Sequence, residues 1–231
     1  MISVLSCEKN NDIEQIESYA ENARLKRILL YSSVESEEPI CIVDEYEYDN
    51  LNRVSQVSSP WYKDGEIIGT IKYDYYEYNS IGQLERISNY NANLNSPTGF
   101  INKKNYIYTY SDDGLKIKEL IEYPQISSFE YSWFSYSHNQ LIKIEKYDDT
   151  DELETYTKYV YNNTEELIKE ISYSANDVEF SVVINTYVNG LNTLTEEYTG
   201  NQENKIREII KTYDPNGNLI MLESNELMPY S

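Results

Sequence analysis

The chain has few of the residues from which metal centres and catalytic sites are commonly built. Its 231 residues include two Cys, one His, eight Gly and six Pro, and 19 Lys and Arg stand against 40 Asp and Glu. Two cysteines cannot form a structural zinc site by themselves, because such a site needs four Cys or His ligands. The net charge of −21 repels phosphate backbones, so we expect no nucleic-acid partner.

Long apolar runs are missing too, and with no run of 18 apolar residues the sequence predicts no transmembrane helix. The single histidine, His138, falls in a polar turn, where we expect it to be solvated rather than part of a catalytic triad. We therefore predict no catalytic residue, no metal and no cofactor, and a protein that is not an enzyme. Carboxylates are abundant, so a glycosidase-type pair stays open as a minor alternative.

Tyrosine is plentiful, with 25 residues, and it marks a phrase that recurs about eight times. In each copy an aromatic-rich strand ends in Tyr, a short polar turn follows, and Leu starts a second strand. Self-similarity with a period of 20–50 residues predicts a repeat architecture. The Tyr/Leu pairs are Tyr19/Leu25, Tyr46/Leu51, Tyr78/Leu84, Tyr110/Leu115, Tyr136/Leu141, Tyr161/Leu167, Tyr187/Leu191 and Tyr213/Leu219.

Each repeat has the pattern of a β-hairpin, with two runs rich in Tyr, Ile, Val and Thr around a polar turn. Asn189-Gly190 is the strongest turn signal, and Asp113-Gly114 and Asn216-Gly217 are similar. Without Tyr, apolar residues are roughly 29% of the chain, which favours a sheet with two partly wet faces. We predict an all-β, elongated, twisted antiparallel sheet of about eight hairpins that could curl, with a closed barrel or sandwich as the alternative.

We expect residues 13–231 to form one repeat domain, preceded by a short tether at 1–12. Ile13 to Tyr19 is interpreted as the first strand, although its apolar spacing also suits a helix. Connections such as Asn91 to Lys104 are expected to be long polar loops. Cys41 falls in an apolar, strand-like run, where a free buried thiol is expected.

The segment Val4-Leu5-Ser6-Cys7 resembles a bacterial lipobox, in which Cys7 would take the lipid. This resemblance implies a lipid anchor at the outer membrane of a bacterial envelope rather than a membrane-spanning segment. Only six residues precede Cys7, fewer than a signal peptide needs. Either the start codon lies upstream, or this is a short cytosolic N-terminus with an incidental cysteine.

Two aromatic groups are candidate binding residues. Trp61 and Tyr62 follow Pro60 and are expected in a loop, whereas Tyr131 and Trp133 belong to an aromatic strand. Exposed Trp and Tyr side chains are suited to binding sugars and protein partners. The structural alternative is that the rings form cross-strand pairs that stabilise the sheet.

The segment from Asp214 to Asn218 has the residue types and spacing of the first ligands of a calcium loop, at Asp214, Asn216 and Asn218. The twelfth position is Asn225 instead of Glu, and the glycine, Gly217, comes before the sixth position that a calcium loop requires. We therefore expect a hairpin turn there, and a solvated turn at Asp148 to Asp151 as well.

The phrases from Tyr213 to Leu219, Tyr78 to Leu84 and Tyr110 to Leu115 resemble YD repeats, as found in Rhs proteins and teneurins. The chain looks similar to short YD-like lipoproteins of Bacteroidota, since the shells of Rhs proteins and teneurins need far more than 231 residues. The resemblance implies an envelope scaffold without catalytic residues. We expect a non-catalytic lipoprotein that binds a protein or glycan partner. The alternatives are an acidic immunity-type protein that binds a basic toxin and, less favoured, a glycan-active enzyme.

Overall fold

The computed structural model describes residues 2–4, 27–30, 41–63, 66–93, 99–200 and 204–227, with side chains described in 44–60, 69–93, 99–200 and 204–227. All regular elements in these ranges are strands, and their order in the sheet is the order along the chain. The strands are β1 Ile2–Val4, β2 Arg27–Leu30, β3 Cys41–Tyr48, β4 Val54–Lys63, β5 Glu66–Tyr78, β6 Leu84–Ala92, β7 Phe100–Tyr110, β8 Lys116–Tyr123, β9 Ser128–Ser137, β10 Gln140–Tyr147, β11 Leu153–Tyr161, β12 Leu167–Ser174, β13 Glu179–Val188, β14 Leu191–Thr199, β15 Asn204–Tyr213 and β16 Leu219–Glu226.

The pairing of these strands confirms the predicted all-β sheet of antiparallel hairpins. Neighbours pair antiparallel from β1 through β7 and again from β9 through β16. The order of the described strands is linear, with β1 and β16 at its ends, so these strands do not close into a barrel.

The chain divides into two compact units. The first contains Met1–Tyr108 and Ile121–Ser128, and the second contains Thr109–Leu120 and Phe129–Ser231. The single repeat domain over 13–231 stays a prediction.

Seven of the hairpin connections use one five-residue turn. The N–H of its fourth residue donates to the carbonyl of the first, and the N–H of the first donates to the carbonyl of the fifth. The fourth residue has a positive φ, as a type I turn with a G1 bulge requires. The first residue is Asp, Asn or Ser and follows a Tyr directly, and its side-chain oxygen accepts the N–H of the fifth. These first residues are Asp49, Asn79, Ser111, Asp148, Asn162, Ser174 and Asp214.

Two other hairpins close with two-residue turns. His138 and Asn139 have φ values of 50° and 65°, and Asn189 and Gly190 have 53° and 78°. Positive φ at both central residues identifies type I′ turns, which match the twist of the flanking strands. The predicted turns at Asn189-Gly190 and at His138 are therefore confirmed, and His138 is exposed.

The Tyr/Leu phrase has a structural meaning, because its two residues face each other across a hairpin. Tyr78 pairs with Leu84, Tyr161 with Leu167 and Tyr213 with Leu219, each beside a β-bulge. One of the predicted strand starts is wrong: Leu51 lies exposed within its turn, and the residues that pair there are Tyr48 and Val54. Leu191 starts β14 as predicted, although Tyr187 pairs with Asn192. Tyr19 and Leu25 lie outside the described residues.

Hydroxyl groups of these tyrosines link successive hairpins. Each donates a hydrogen bond of 2.8–3.1 Å to a backbone carbonyl that lies 20 to 24 residues earlier. The accepting carbonyl belongs to the residue that pairs with the Tyr of the preceding hairpin, wherever that pairing is described. This contact accounts for the repeat length, and we call it the tyrosine ladder. Its rungs are Tyr78 to Val54, Tyr136 to Lys116, Tyr161 to Leu141, Tyr187 to Leu167 and Tyr213 to Asn192.

Burial is shallow over both faces of the strands. Among the described side chains only Tyr156 and Val182 are buried hydrophobic residues, and most strand positions are half-buried. The rings and aliphatic chains therefore pack along the sheet surface, as the low apolar content without Tyr predicts.

The structure corrects one further prediction, a loop, and the remaining ones fall on residues or side chains that it does not describe. The loop predicted for Asn91 to Lys104 is shorter, because β6 continues to Ala92 and β7 begins at Phe100. Cys41 begins β3, and its side chain lies outside the described ones. Cys7, most of the 1–12 tether and the strand predicted for Ile13 to Tyr19 lie outside the described residues.

Candidate functional site

The aromatic strand β9 carries three rings in a row on one face. Phe129, Tyr131 and Trp133 are two residues apart, so their side chains point to the same side of the sheet. The ring centroids of Phe129 and Tyr131 are 6.5 Å apart, and those of Tyr131 and Trp133 are 6.4 Å apart. We call these three residues the aromatic row, and they belong to the second compact unit.

The middle ring of the row is fixed by its neighbours. Tyr131 stacks on Tyr147 of β10, with centroids 5.1 Å apart and planes inclined by 8°. Its hydroxyl donates a 2.9 Å hydrogen bond to Asp151 Oδ1 in the turn after β10. Partial burial, and then the hydrogen bond to Asp151, raise the pKa of the Tyr131 hydroxyl. Tyr131 therefore has the cross-strand structural role that was the alternative to ligand binding.

A lysine covers part of the row. The ammonium nitrogen of Lys118, on β8, lies 4.5 Å from the ring centroid of Tyr131 and 4.9 Å from that of Trp133. Such cation–π contacts are each worth about 0.5–1 kcal/mol at exposed sites. No carboxylate pairs with Lys118 among the described residues, so the lysine adds a positive charge to this face.

The outer rings of the row stay accessible to solvent. Trp133 is 42% exposed and Phe129 is 37% exposed. A half-exposed ring on a rigid strand can stack against a sugar ring or an apolar side chain at little cost in conformational entropy. The row therefore offers an exposed aromatic contact surface, with the positive charge of Lys118 beside Tyr131 and Trp133.

The other predicted pair lies in the first compact unit, and the loop prediction for it is wrong. Trp61 and Tyr62 belong to β4, where they pair with Gly69 and Ile67 of β5. The register shifts beside Pro60, and this irregularity accommodates a residue that has no N–H to donate. The side chains of Trp61 and Tyr62 are outside the described ones.

A second aromatic cluster was missed in the sequence. Tyr73 lies at its centre, with centroids 4.8 Å from Tyr75, 4.9 Å from Tyr90 and 4.7 Å from Phe100. The signal available was the i, i+2 spacing of Tyr73 and Tyr75, but Tyr90 joins them only through the β5–β6 register. Because the rings cover one another, we interpret this cluster as packing.

The carboxylate of Asp214, a candidate cation ligand in the sequence, accepts hydrogen bonds from residues of its own turn. Asp214 Oδ1 accepts the N–H groups of Asn216 and Asn218, and Oδ2 accepts the Asn218 amide. The hydrogen bonds from Asn218 lower the pKa of Asp214. The hairpin turn predicted here is confirmed. In the described part of the chain, no group of three or more His, Cys, Asp or Glu is placed to hold a metal ion.

One carboxyl group has a perturbed pKa inside a strand. Burial raises the pKa of Glu170 on β12, which lies opposite Tyr159 on one side and Val183 on the other. Perturbed carboxyls occur in active sites and in structural networks alike. We assign Glu170 no chemical role.

Comparisons with known proteins complete the description. No protein-family model matches the chain, and no curated protein matches it. A porin-like protein from Bacteroides uniformis is similar at a TM-score of 0.42 and 12% identity, over 70% of this chain and 60% of that one. The TcdB2-TccC3-Cdc42 complex is similar at a TM-score of 0.31 and 11% identity, over 89% of this chain and 14% of that one.

The chain thus spans 60% and 14% of the lengths of these two solved chains. The Tc holotoxin pore of Photorhabdus luminescens is similar at a TM-score of 0.25 and 10% identity, over 89% of this chain and 13% of that one. No helix in the described residues is both long and apolar enough to cross a membrane. Similarity at this level assigns neither a family nor a function.

Proposed function

We propose that this chain is a non-catalytic binding module of the bacterial envelope that contacts a glycan or protein partner through the aromatic row. The observation that carries the proposal is the exposure of Trp133 and Phe129 on either side of a fixed Tyr131. Rigid, half-exposed aromatic side chains are enriched where proteins make their energetically important contacts. Lys118 beside Trp133 adds a hydrogen-bond donor for a polar group of the ligand.

The anchor is a separate part of the proposal. Its support is the lipobox-like Val4-Leu5-Ser6-Cys7, together with the resemblance to YD-like lipoproteins. We expect Cys7→Ala to move the full-length protein from the membrane fraction to the soluble fraction of the producing cells. Unchanged fractionation of this variant would argue against lipidation, without bearing on the aromatic row.

The contact surface is tested with glycans first, because sugar rings stack on Trp faces. A glycan array would identify ligands of the wild-type chain, and calorimetry would then compare Trp133→Ala with the parent. Truncating a central aromatic contact costs about 2 kcal/mol, or roughly 30-fold in Kd. Phe180→Ala is the matched control, since Phe180 is 45% exposed on β13 of the same unit.

The results separate the possibilities. A loss confined to Trp133→Ala supports the row as the binding surface. Equal losses in both variants, or a bound glycan whose affinity neither variant changes, would place the contact elsewhere on the chain.

The net charge of −21 favours a second candidate, an acidic immunity-type protein that neutralises a basic toxin. Association driven by opposite net charge falls steeply as ionic strength rises. Stacking on aromatic rings is much less sensitive to salt. Binding that disappears between about 50 mM and 500 mM salt would therefore favour the toxin partner, with the Debye length falling below 10 Å over this range.

A further inference from the structure

The strand β16 differs from all other strands whose side chains are described. Every one of its eight residues is exposed, whereas the neighbouring β15 is half-buried along nearly all of its length. β16 pairs with β15 on one side, and it ends the order of the described strands. No described strand pairs with the other side of β16, and we call this side its free edge.

The free edge has little of the protection that natural sheets give to such strands. Edge strands are commonly guarded by Lys, by Pro or by inward-pointing charges. The sequence Leu219-Ile220-Met221-Leu222 contains none of these, and Ile220 is 64% exposed and Leu222 55% exposed. An exposed apolar edge of this kind favours the addition of another strand.

The repeat itself defines what an incoming strand must look like. In four hairpins linked by the tyrosine ladder, a Tyr pairs with an anchor residue on the second strand, and the next strand then adds in a constant register. Two residues after the anchor, the partner on the added strand is three residues before the next Tyr of the ladder. These partners are Gln56 with Tyr75, Lys143 with Lys158, Lys169 with Ile184 and Leu194 with Ile210.

The hydroxyl of that next Tyr then donates to the carbonyl of the anchor. Val54, Leu141, Leu167 and Asn192 are the anchors of these four hairpins, and each accepts such a hydrogen bond. On β16 the anchor is Leu219, which pairs with Tyr213. Among the described residues no tyrosine hydroxyl donates to the Leu219 carbonyl. Met221 lies two residues after this anchor, so it is the position at which an added strand would start to pair.

We propose that the free edge of β16 binds an extended, tyrosine-containing segment of another polypeptide by strand addition. The residue three positions before the Tyr would lie opposite Met221, where the interior strands place Ile, Tyr or Lys, and the Tyr hydroxyl would donate to the Leu219 carbonyl as in the tyrosine ladder. Glu223 and Glu226 on β16, and the net charge of −21, favour a segment with basic residues. This site is independent of the aromatic row and of the function proposed for it.

The chain provides its own probe, because β15 has the required pattern. A labelled peptide of the sequence Asn204–Tyr213 contains Ile210 and Tyr213 three residues apart and carries a net charge of +2 from Lys205, Arg207, Lys211 and Glu208. Fluorescence anisotropy would measure its binding to the full chain. A peptide with Phe in place of Tyr213 should bind about fivefold more weakly, as the loss of one hydrogen bond predicts.

Two variants of the full chain locate the site. Met221→Lys should weaken binding of the basic peptide at least tenfold, because it places a positive charge at the first pairing position. Val160→Lys is the matched control, since Val160 is an exposed apolar residue of the interior strand β11, and it should bind like the parent. Circular dichroism would establish that both variants keep the β fold.

Saturable binding that is weakened by the Tyr-to-Phe change and by Met221→Lys alone would support the proposal. Absence of binding at about 1 mM chain would overturn it, since strand addition with a Kd above this value contributes less than about 4 kcal/mol. Equal binding of a scrambled peptide, or equal losses in both protein variants, would overturn it as well.

Discussion

Removing one hydroxyl from the tyrosine ladder tests the contact that sets the repeat length. In Tyr161→Phe the ring remains, but its 3.0 Å hydrogen bond to the Leu141 carbonyl is lost. A typical hydrogen bond contributes about 1 kcal/mol to stability, and a partly buried carbonyl left without a donor adds to the loss. We therefore expect the free energy of unfolding to fall by about 1–1.5 kcal/mol.

The assay is urea unfolding followed by circular dichroism, with thermal unfolding as a second measure. For a chain of this size, a loss of about 1 kcal/mol lowers Tm by roughly 2–4 °C. Tyr173→Phe is the control, because its hydroxyl makes no hydrogen bond among the described residues and its ring stacks on Tyr156. Tyr161 and Tyr173 belong to the same compact unit, so the same transition reports on both.

The two variants must differ for the ladder to have the role assigned to it. Equal midpoints for Tyr161→Phe and Tyr173→Phe would refute the reasoning, since ring packing alone would then account for the tyrosines. A second rung sharpens the test. Tyr161→Phe and Tyr213→Phe remove separate hydrogen bonds more than two strands apart, and their effects should add to about 2–3 kcal/mol.

Three further predictions concern the turns and the tyrosine hydroxyls. Gly217→Val should destabilise the last described hairpin by about 1–3 kcal/mol in urea unfolding, because φ there is +83°; Gly217→Asn should cost less, since Asn occupies this position in another copy of the turn. Hydrogen bonds from Asn218 lower the pKa of Asp214 below its ordinary 3.8, so their stabilisation is present above that pH and is lost as pH falls through the lowered value. Asp214→Asn should make acid unfolding less steep and lower the unfolding midpoint at pH 7, because the amide replaces one of the two accepting oxygens with a donor. The hydrogen bond to Asp177 raises the pKa of Tyr156 to about 12, so stability should fall between pH 10 and pH 12, and Tyr156→Phe should lessen that fall.

The architecture could be predicted because its signals are local. Asn189-Gly190 has the residues that a type I′ turn needs, and Gly217 has the residue that tolerates a positive φ most easily. Leu84, Leu167 and Leu219 follow their tyrosines at a constant distance. These patterns depend on a few neighbouring residues, so a single sequence is enough to reveal them.

Turns without glycine were harder to find. Asn52, Asp151, Glu165 and Asp177 all hold the left-handed position, with φ between 61° and 65°. Their turns are closed by the side-chain oxygen of the first residue, which accepts backbone N–H groups and makes glycine unnecessary at the fourth position. The turn that follows Tyr48 has no glycine, and the sequence pattern placed it a few residues too early, between Tyr46 and Leu51.

The candidate site was predicted only in part. The sequence predicted an aromatic strand with Tyr131 and Trp133 as candidate binding residues, but it could not reveal which ring would be fixed. That distinction depends on Tyr147 and Lys118, which come from neighbouring strands through the sheet register. Register is a tertiary property, and one residue of slip would have put different side chains beside the row.

The tyrosine ladder also bears on how the chain folds. Each rung joins residues only 20 to 24 positions apart, and each strand pairs with its neighbour in sequence. Closing loops of this size costs little entropy, and chains whose contacts are close in sequence fold quickly. We expect nucleation to begin at any well-formed hairpin and to spread outward, with each completed anchor carbonyl preparing the position of the next tyrosine.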